Sequence, residues 1–157
     1  MRSREMITII VLFLVGGIAM FWGQKLLYEN QIVPIQQIPV GSWLASDYNT
    51  AAIVMFLACF IPTVIWCALA VRNRFNDGAA TLRWRLLWWL LGIIPMLTIA
   101  IAVFYINRSS EAQLSLIFFF LLDAIWLYWL PTATSSPEAV KYIPPFAFFL
   151  RHKIMGD

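Results

Sequence analysis

A chain of 157 residues that is 62% hydrophobic and only 12% charged cannot cover its apolar surface in water, since soluble domains carry about a quarter charged residues. Lipid tails solvate such faces, so the composition excludes an ordinary soluble domain and points to a membrane. The formal net charge of +3 is too small to imply a nucleic-acid partner.

The first apolar segment, 6–23, follows Arg2 and Arg4. It is longer than a signal-peptide core and ends in Phe21 and Trp22 without a small-residue cleavage site, which predicts an uncleaved first span. Residues 24–49 are polar and hold Pro34, Pro39 and Gly41. They read as one large external loop, resting on the membrane through Leu26, Leu27, Ile32, Ile35, Ile38 and Trp43.

Two further spans are predicted at 50–71 and 86–106, each matching the roughly 20 residues a hydrocarbon core requires. Pro62 and Pro95 fall inside them, and a basic turn starting at Arg72 joins them. A fourth span, 113–130, is expected to end at Pro131, because proline removes a backbone N–H and crowds the preceding turn. The expected fold is therefore all-α: a polytopic four-transmembrane-helix bundle formed by one domain, 1–131. The remaining 132–157 read as a cytoplasmic tail on the membrane surface, with Phe146, Phe148 and Phe149 in the headgroup layer and Arg151 and Lys153 against anionic lipid. Eight tryptophans agree with a chain that borders on lipid at both interfaces.

Orientation follows from the basic residues. Arg2, Arg4, Arg72, Arg74, Arg83, Arg85, Lys141, Arg151 and Lys153 fall on the side of the termini, against Lys25 and Arg108 on the other. Basic residues accumulate in cytoplasmic loops, so both ends are expected inside.

Asp123 is the one acid or base within a predicted span. A carboxylate at that depth costs several kcal/mol and faces the bundle interior or water. Counting inward from the cytoplasmic edge gives Thr63, Trp66 and Trp89 as partners of matching depth. The structural reading is a neutral or hydrogen-bonded acid joining helices, and the functional alternative is a proton or cation site. Cys59, Thr63 and Cys67 recur every four residues, a small-residue stripe that lets helices approach closely. The two cysteines lie about 12 Å apart along a helix, beyond disulfide reach. With His152 in the tail and no further ligands near the thiols, no metal site and no cofactor is expected.

No phosphate-binding glycine loop, nucleophile elbow or zinc-protease motif occurs. Leu130-Pro-Thr-Ala-Thr-Ser-Ser-Pro137, followed by Tyr142-Ile-Pro-Pro145 and a basic end, resembles the tails of some uncharacterised cyanobacterial multi-span membrane proteins. That resemblance covers about twenty-five residues and implies a bacterial plasma membrane or thylakoid membrane, with no activity attached. The expected role is a non-enzymatic accessory, assembly or scaffolding subunit with protein partners in the membrane or a homo-oligomer. The alternative is a small oligomeric transporter or channel subunit that uses Asp123.

Overall fold

The computed structural model describes residues 3–36, 38–72, 78–135, 143–147 and 149, without the side chains of 3–5, 71–72 and 78–82. Among these residues every regular element is helical. Four helices are long and apolar enough to cross a membrane: Met6–Glu29, Val40–Ala70, Arg83–Ile106 and Gln113–Ser135. The chain is an integral membrane protein with a four-helix bundle.

The first two helices correct the expected external loop at 24–49. The first continues to Glu29 and the second starts at Val40, so the connection shrinks to 30–39. In lipid an unpaired backbone group costs several kcal/mol, which favours continuing the helix wherever the side chains find partners. Those partners exist. Gln24, Tyr28, Asp47 and Tyr48, polar residues that had suggested a loop, are all buried.

The fourth helix corrects the second boundary, since it passes through Pro131 and ends at Ser135. Pro131 has no N–H for the Leu127 carbonyl four residues back. The Thr63 hydroxyl on the second helix donates to that carbonyl instead, at 3.0 Å. Thr132 and Thr134 then bond back onto the carbonyls of Tyr128 and Leu130 at 2.8 and 3.1 Å. These last two are the usual back-bonds of threonine within a helix, and the Thr63 hydroxyl alone serves the carbonyl that Pro131 leaves open. Pro62 and Pro95 likewise lie within unbroken helices.

Each of the four helices contains one five-residue π-helical segment: Ala19–Gly23, Leu44–Tyr48, Ala102–Ile106 and Ile125–Trp129. A π turn shifts the backbone bond to the fifth residue back and leaves carbonyls open to side-chain donors. Gln24 N–H, for instance, reaches back to the Ala19 carbonyl.

Small residues set the closest crossings. A Cβ on Gly16 would lie 2.5 Å from Leu127 Cδ2 and 2.7 Å from Trp126 Cδ1, so the first and fourth helices touch there. The Trp126 indole donates to the Leu12 carbonyl at 3.0 Å beside it. Ala51, Ala52, Cys59, Ala102 and Ala124 are buried at other crossings. The first helix is the outermost: 11% of its apolar window is buried, against 39% for each of the others.

Beyond the bundle, Ile143 and Ala147 are buried while Phe146 and Phe149 are 74% and 73% exposed. Part of the tail therefore packs on protein rather than resting wholly in the headgroups. Phe148, Arg151 and Lys153 lie outside the described residues.

Candidate functional site

Three helices converge on Asp123. Gln24 Nε2 donates to both carboxylate oxygens, at 3.0 Å to Oδ1 and 2.9 Å to Oδ2. The Tyr48 hydroxyl lies 2.8 Å from Gln24 Oε1 and 2.6 Å from the Met20 carbonyl. Asp123 is 5% exposed, Gln24 7% and Tyr48 0%. The network is buried and internally bonded.

Local structure explains the convergence. Gln24 follows the first π segment directly, Tyr48 closes the second, and Asp123 stands two residues before the fourth. The π turn at Ala19–Gly23 diverts Gln24 N–H from the Met20 carbonyl to that of Ala19, and Met20 takes the Tyr48 hydroxyl. Aromatic rings enclose the group. Tyr48 lies 5.8 Å from both Tyr28 and Trp43, centroid to centroid, and 6.4 Å from Phe120. The Tyr28 hydroxyl is bonded to Ser115 Oγ at 2.8 Å.

Depth matching named the wrong partners for Asp123. Thr63 bonds the Leu127 carbonyl, Trp66 packs edge-on against Trp84, and Trp89 is half-exposed beside Trp88. The depth count took Leu130 as the edge of the fourth span, but five more helical residues follow it. That addition moves Asp123 away from the termini and toward the 30–39 connection, where Gln24 and Tyr48 stand. Both had been assigned to a loop and so were never candidates. One signal was available: Met20, Gln24 and Tyr28 recur every four residues, and all three are buried.

The stripe on the second helix faces the fourth. Thr63 bonds Leu127, and the Cys67 thiol lies 3.3 Å from Ser135 Oγ. Among the described residues no group of three or more His, Cys, Asp or Glu gathers at a metal-binding distance.

A second polar cluster ties the connections together. Asp47, 5% exposed, receives Arg108 Nη2 at 2.6 Å, Nε at 3.1 Å and the Arg108 main-chain N–H at 3.2 Å. These hydrogen bonds, and the carboxylate charge behind them, hold the Arg108 guanidinium above the ordinary arginine range. Next to it the Trp43 indole donates to Asn107 Oδ1 at 2.9 Å. Gln36 N–H donates to Glu111 Oε2 at 2.6 Å, joining the 30–39 connection to the 107–112 connection. At the other end of the third and fourth helices, Trp88 Nε1 donates to Thr132 Oγ1 at 3.0 Å and the Tyr128 hydroxyl to the Trp88 carbonyl.

Two cavities open on the apolar flanks. One of about 610 Å³ lies between the first two helices, with Phe13, Phe56 and Phe60 in its wall. The other, about 360 Å³, lies between the third and fourth, with Trp88, Trp89, Tyr128, Trp129 and Pro145. Asp123 lines neither.

The helices and the buried acid define a class, an integral membrane four-helix protein with an intramembrane polar clamp. Comparison with protein families, curated proteins and solved structures finds no match to this chain.

Proposed function

We propose that this chain is a non-enzymatic accessory, assembly or scaffolding subunit of a larger membrane complex. The observation that carries this reading is the buried carboxylate of Asp123, bonded within the bundle by Gln24 of another helix. A transport carboxylate needs water or an exchangeable ligand, whereas a clamp needs only its neighbours. Further support comes from the outermost first helix, whose lipid-facing side carries Ile7, Ile10, Leu14, Ile18 and Trp22. Such a side is free to meet a partner helix through packing alone. The charge asymmetry supports a topology with both termini cytoplasmic, and the resemblance of the tail supports a bacterial plasma or thylakoid membrane.

Purification in mild detergent, followed by identification of co-purifying chains, tests the role. The expected result is a stable set of membrane partners retained by Asp123→Asn. The scaffold reading would give way to the transport alternative if the purified chain moved protons or cations across liposomes and Asp123→Asn abolished that flux.

A further inference from the structure

The Asp123 network does not balance as a set of donors and acceptors when the acid is charged. Tyr48 has one hydroxyl hydrogen, yet two oxygens lie within bonding distance, Met20 O at 2.6 Å and Gln24 Oε1 at 2.8 Å. One of those oxygen pairs is left without a proton. On the other side, a single amide nitrogen faces both carboxylate oxygens. That nitrogen belongs to a neutral group, and no cationic side chain among the described residues bonds the acid. A buried carboxylate with only a neutral partner is the arrangement that proteins in lipid avoid.

The surroundings offer no other compensation. From the first helix Asp123 meets Gln24, with Tyr28 beyond it. From the second it meets Tyr48 through Gln24, with the buried thiol of Cys59 on the same helix, and among the described residues the third helix brings no charged side chain into bonding contact with it. Tyrosine and cysteine side chains are uncharged at neutral pH by their ordinary ionisation. The nearest ion pair on the second helix, Asp47 with Arg108, is closed on itself.

We infer that Asp123 is an intramembrane proton-binding site, occupied at neutral pH, with the Gln24 amide turned by half a rotation. A half-turn exchanges Oε1 and Nε2, two ends of nearly equal size, and disturbs no backbone. The protonated Asp123 oxygen then donates to Gln24 Oε1, Gln24 Nε2 donates to the Tyr48 oxygen, and the Tyr48 hydroxyl donates to the Met20 carbonyl. Each of these three links holds one hydrogen, and the buried charge is gone. The chain of bonds runs in one direction, from the fourth helix through the first to the second, and ends on the carbonyl released by the π turn at Ala19–Gly23. Loss of the proton would require the amide to turn back, so protonation of Asp123 and orientation of Gln24 are coupled. The inference rests on the clamp described above but not on the identity of any partner chain.

Two measurements on the full chain in lipid bilayers at neutral pH test it. Infrared difference spectra, wild type minus Asp123→Asn, isolate the one carboxyl. The expected signal is a protonated C=O stretch that moves in deuterated water. A carboxylate stretch in its place would overturn the proton. Solid-state NMR on wild-type protein with ¹⁵N in the glutamine side chain and ¹³C in tyrosine and aspartate reads the amide. The expected result places the Gln24 nitrogen closer to Tyr48 Cζ than to Asp123 Cγ, and the reverse order would overturn the turned amide. A carboxylate found while the partners still co-purify removes this inference and leaves the scaffolding role standing. A protonated Asp123 in a chain that retains no partner does the opposite.

Discussion

Thr63 and Leu127 hold the second and fourth helices together through a bond that a proline makes necessary. The Thr63 hydroxyl donates at 3.0 Å to the carbonyl that Pro131 leaves without its backbone donor. An interhelical hydrogen bond in lipid contributes about 1 kcal/mol. Thr63→Val is therefore expected to destabilise the bundle by about that amount, read as a lower midpoint of unfolding in mixed micelles. In a Pro131→Ala background the helix recovers its own N–H, and the same substitution should cost clearly less. Equal costs in both backgrounds would show that the hydroxyl does not stand in for the missing donor.

Gly16 and its neighbour Gly17 make a matched pair. A methyl at Gly16 would meet Leu127 Cδ2 at 2.5 Å, whereas one at Gly17 finds Phe56 Cε2 at 3.6 Å. Leu127 is fully buried and Trp126 is held by the Leu12 carbonyl, so neither can yield easily. Gly16→Ala should cost about 1–3 kcal/mol, the usual penalty for overpacking. Gly17→Ala should be close to neutral, and thermal melts of the two variants in one detergent give the comparison.

Asp47 anchors more than Arg108 returns. Its carboxylate accepts from the Arg108 side chain, from the Arg108 main-chain N–H and from the Ser46 hydroxyl. Arg108→Ala removes the first of these and spares the others, and the arginine side chain is 72% exposed. Asp47→Ala removes the acceptor for all. The melting temperature should accordingly fall further for Asp47→Ala, and high salt should narrow the gap little, because the other bonds are short-range. A larger fall for Arg108→Ala would contradict the geometry.

Asp123→Asn should preserve the fold, since an amide can both donate to and accept from Gln24. Asp123→Leu should cost about 1–2 kcal/mol. Part of that cost is the Gln24 amide, left buried without its partner. Gln24→Leu combined with Asp123→Leu is expected to recover some stability relative to Asp123→Leu alone, and chemical unfolding of the four chains measures the coupling.

Topology can be read with single cysteines in a Cys59→Ala, Cys67→Ala chain. Ile32→Cys, in the connection that the charge asymmetry assigns to the outside, should react with an impermeant thiol reagent applied to intact cells. Asn76→Cys and Ser136→Cys should react only after the cells are opened. Labelling of Asn76→Cys in intact cells would reverse the orientation.

The helices were legible in the sequence wherever an apolar run is uninterrupted. The third span was expected at 86–106, and the helix found covers Arg83–Ile106. What misled was polarity near helix ends. Gln24, Asp47 and Tyr48 carry the composition of a loop, but Gln24 and Tyr48 find partners inside the bundle and Asp47 finds Arg108 on the 107–112 connection, and only contacts between distant parts of the chain reveal that. Pro131 gave a similar false stop, because the Leu127 carbonyl it leaves vacant is served by Thr63, sixty-four positions earlier in the chain. The site was half legible. Asp123 announced itself by its charge within an apolar run, while its partners depended on π turns that leave no trace in composition.

The order in which the clamp is made also bears on how the chain enters the membrane. The fourth helix is the least apolar of the four, with a mean hydropathy of 1.8 against 2.3 to 2.5 for the others, and it carries the buried acid. Gln24 and Tyr48 lie 24 residues apart on the same early hairpin, and Gln24 precedes Asp123 by 99 residues, so both already stand in the bilayer when Asp123 emerges. A nascent chain truncated before residue 113 would hold the Gln24 amide, joined to Tyr48, with no acid to close on it. The last helix thus enters toward a receptor that the first hairpin has prepared, and its insertion should weaken when Gln24 and Tyr48 are both made apolar.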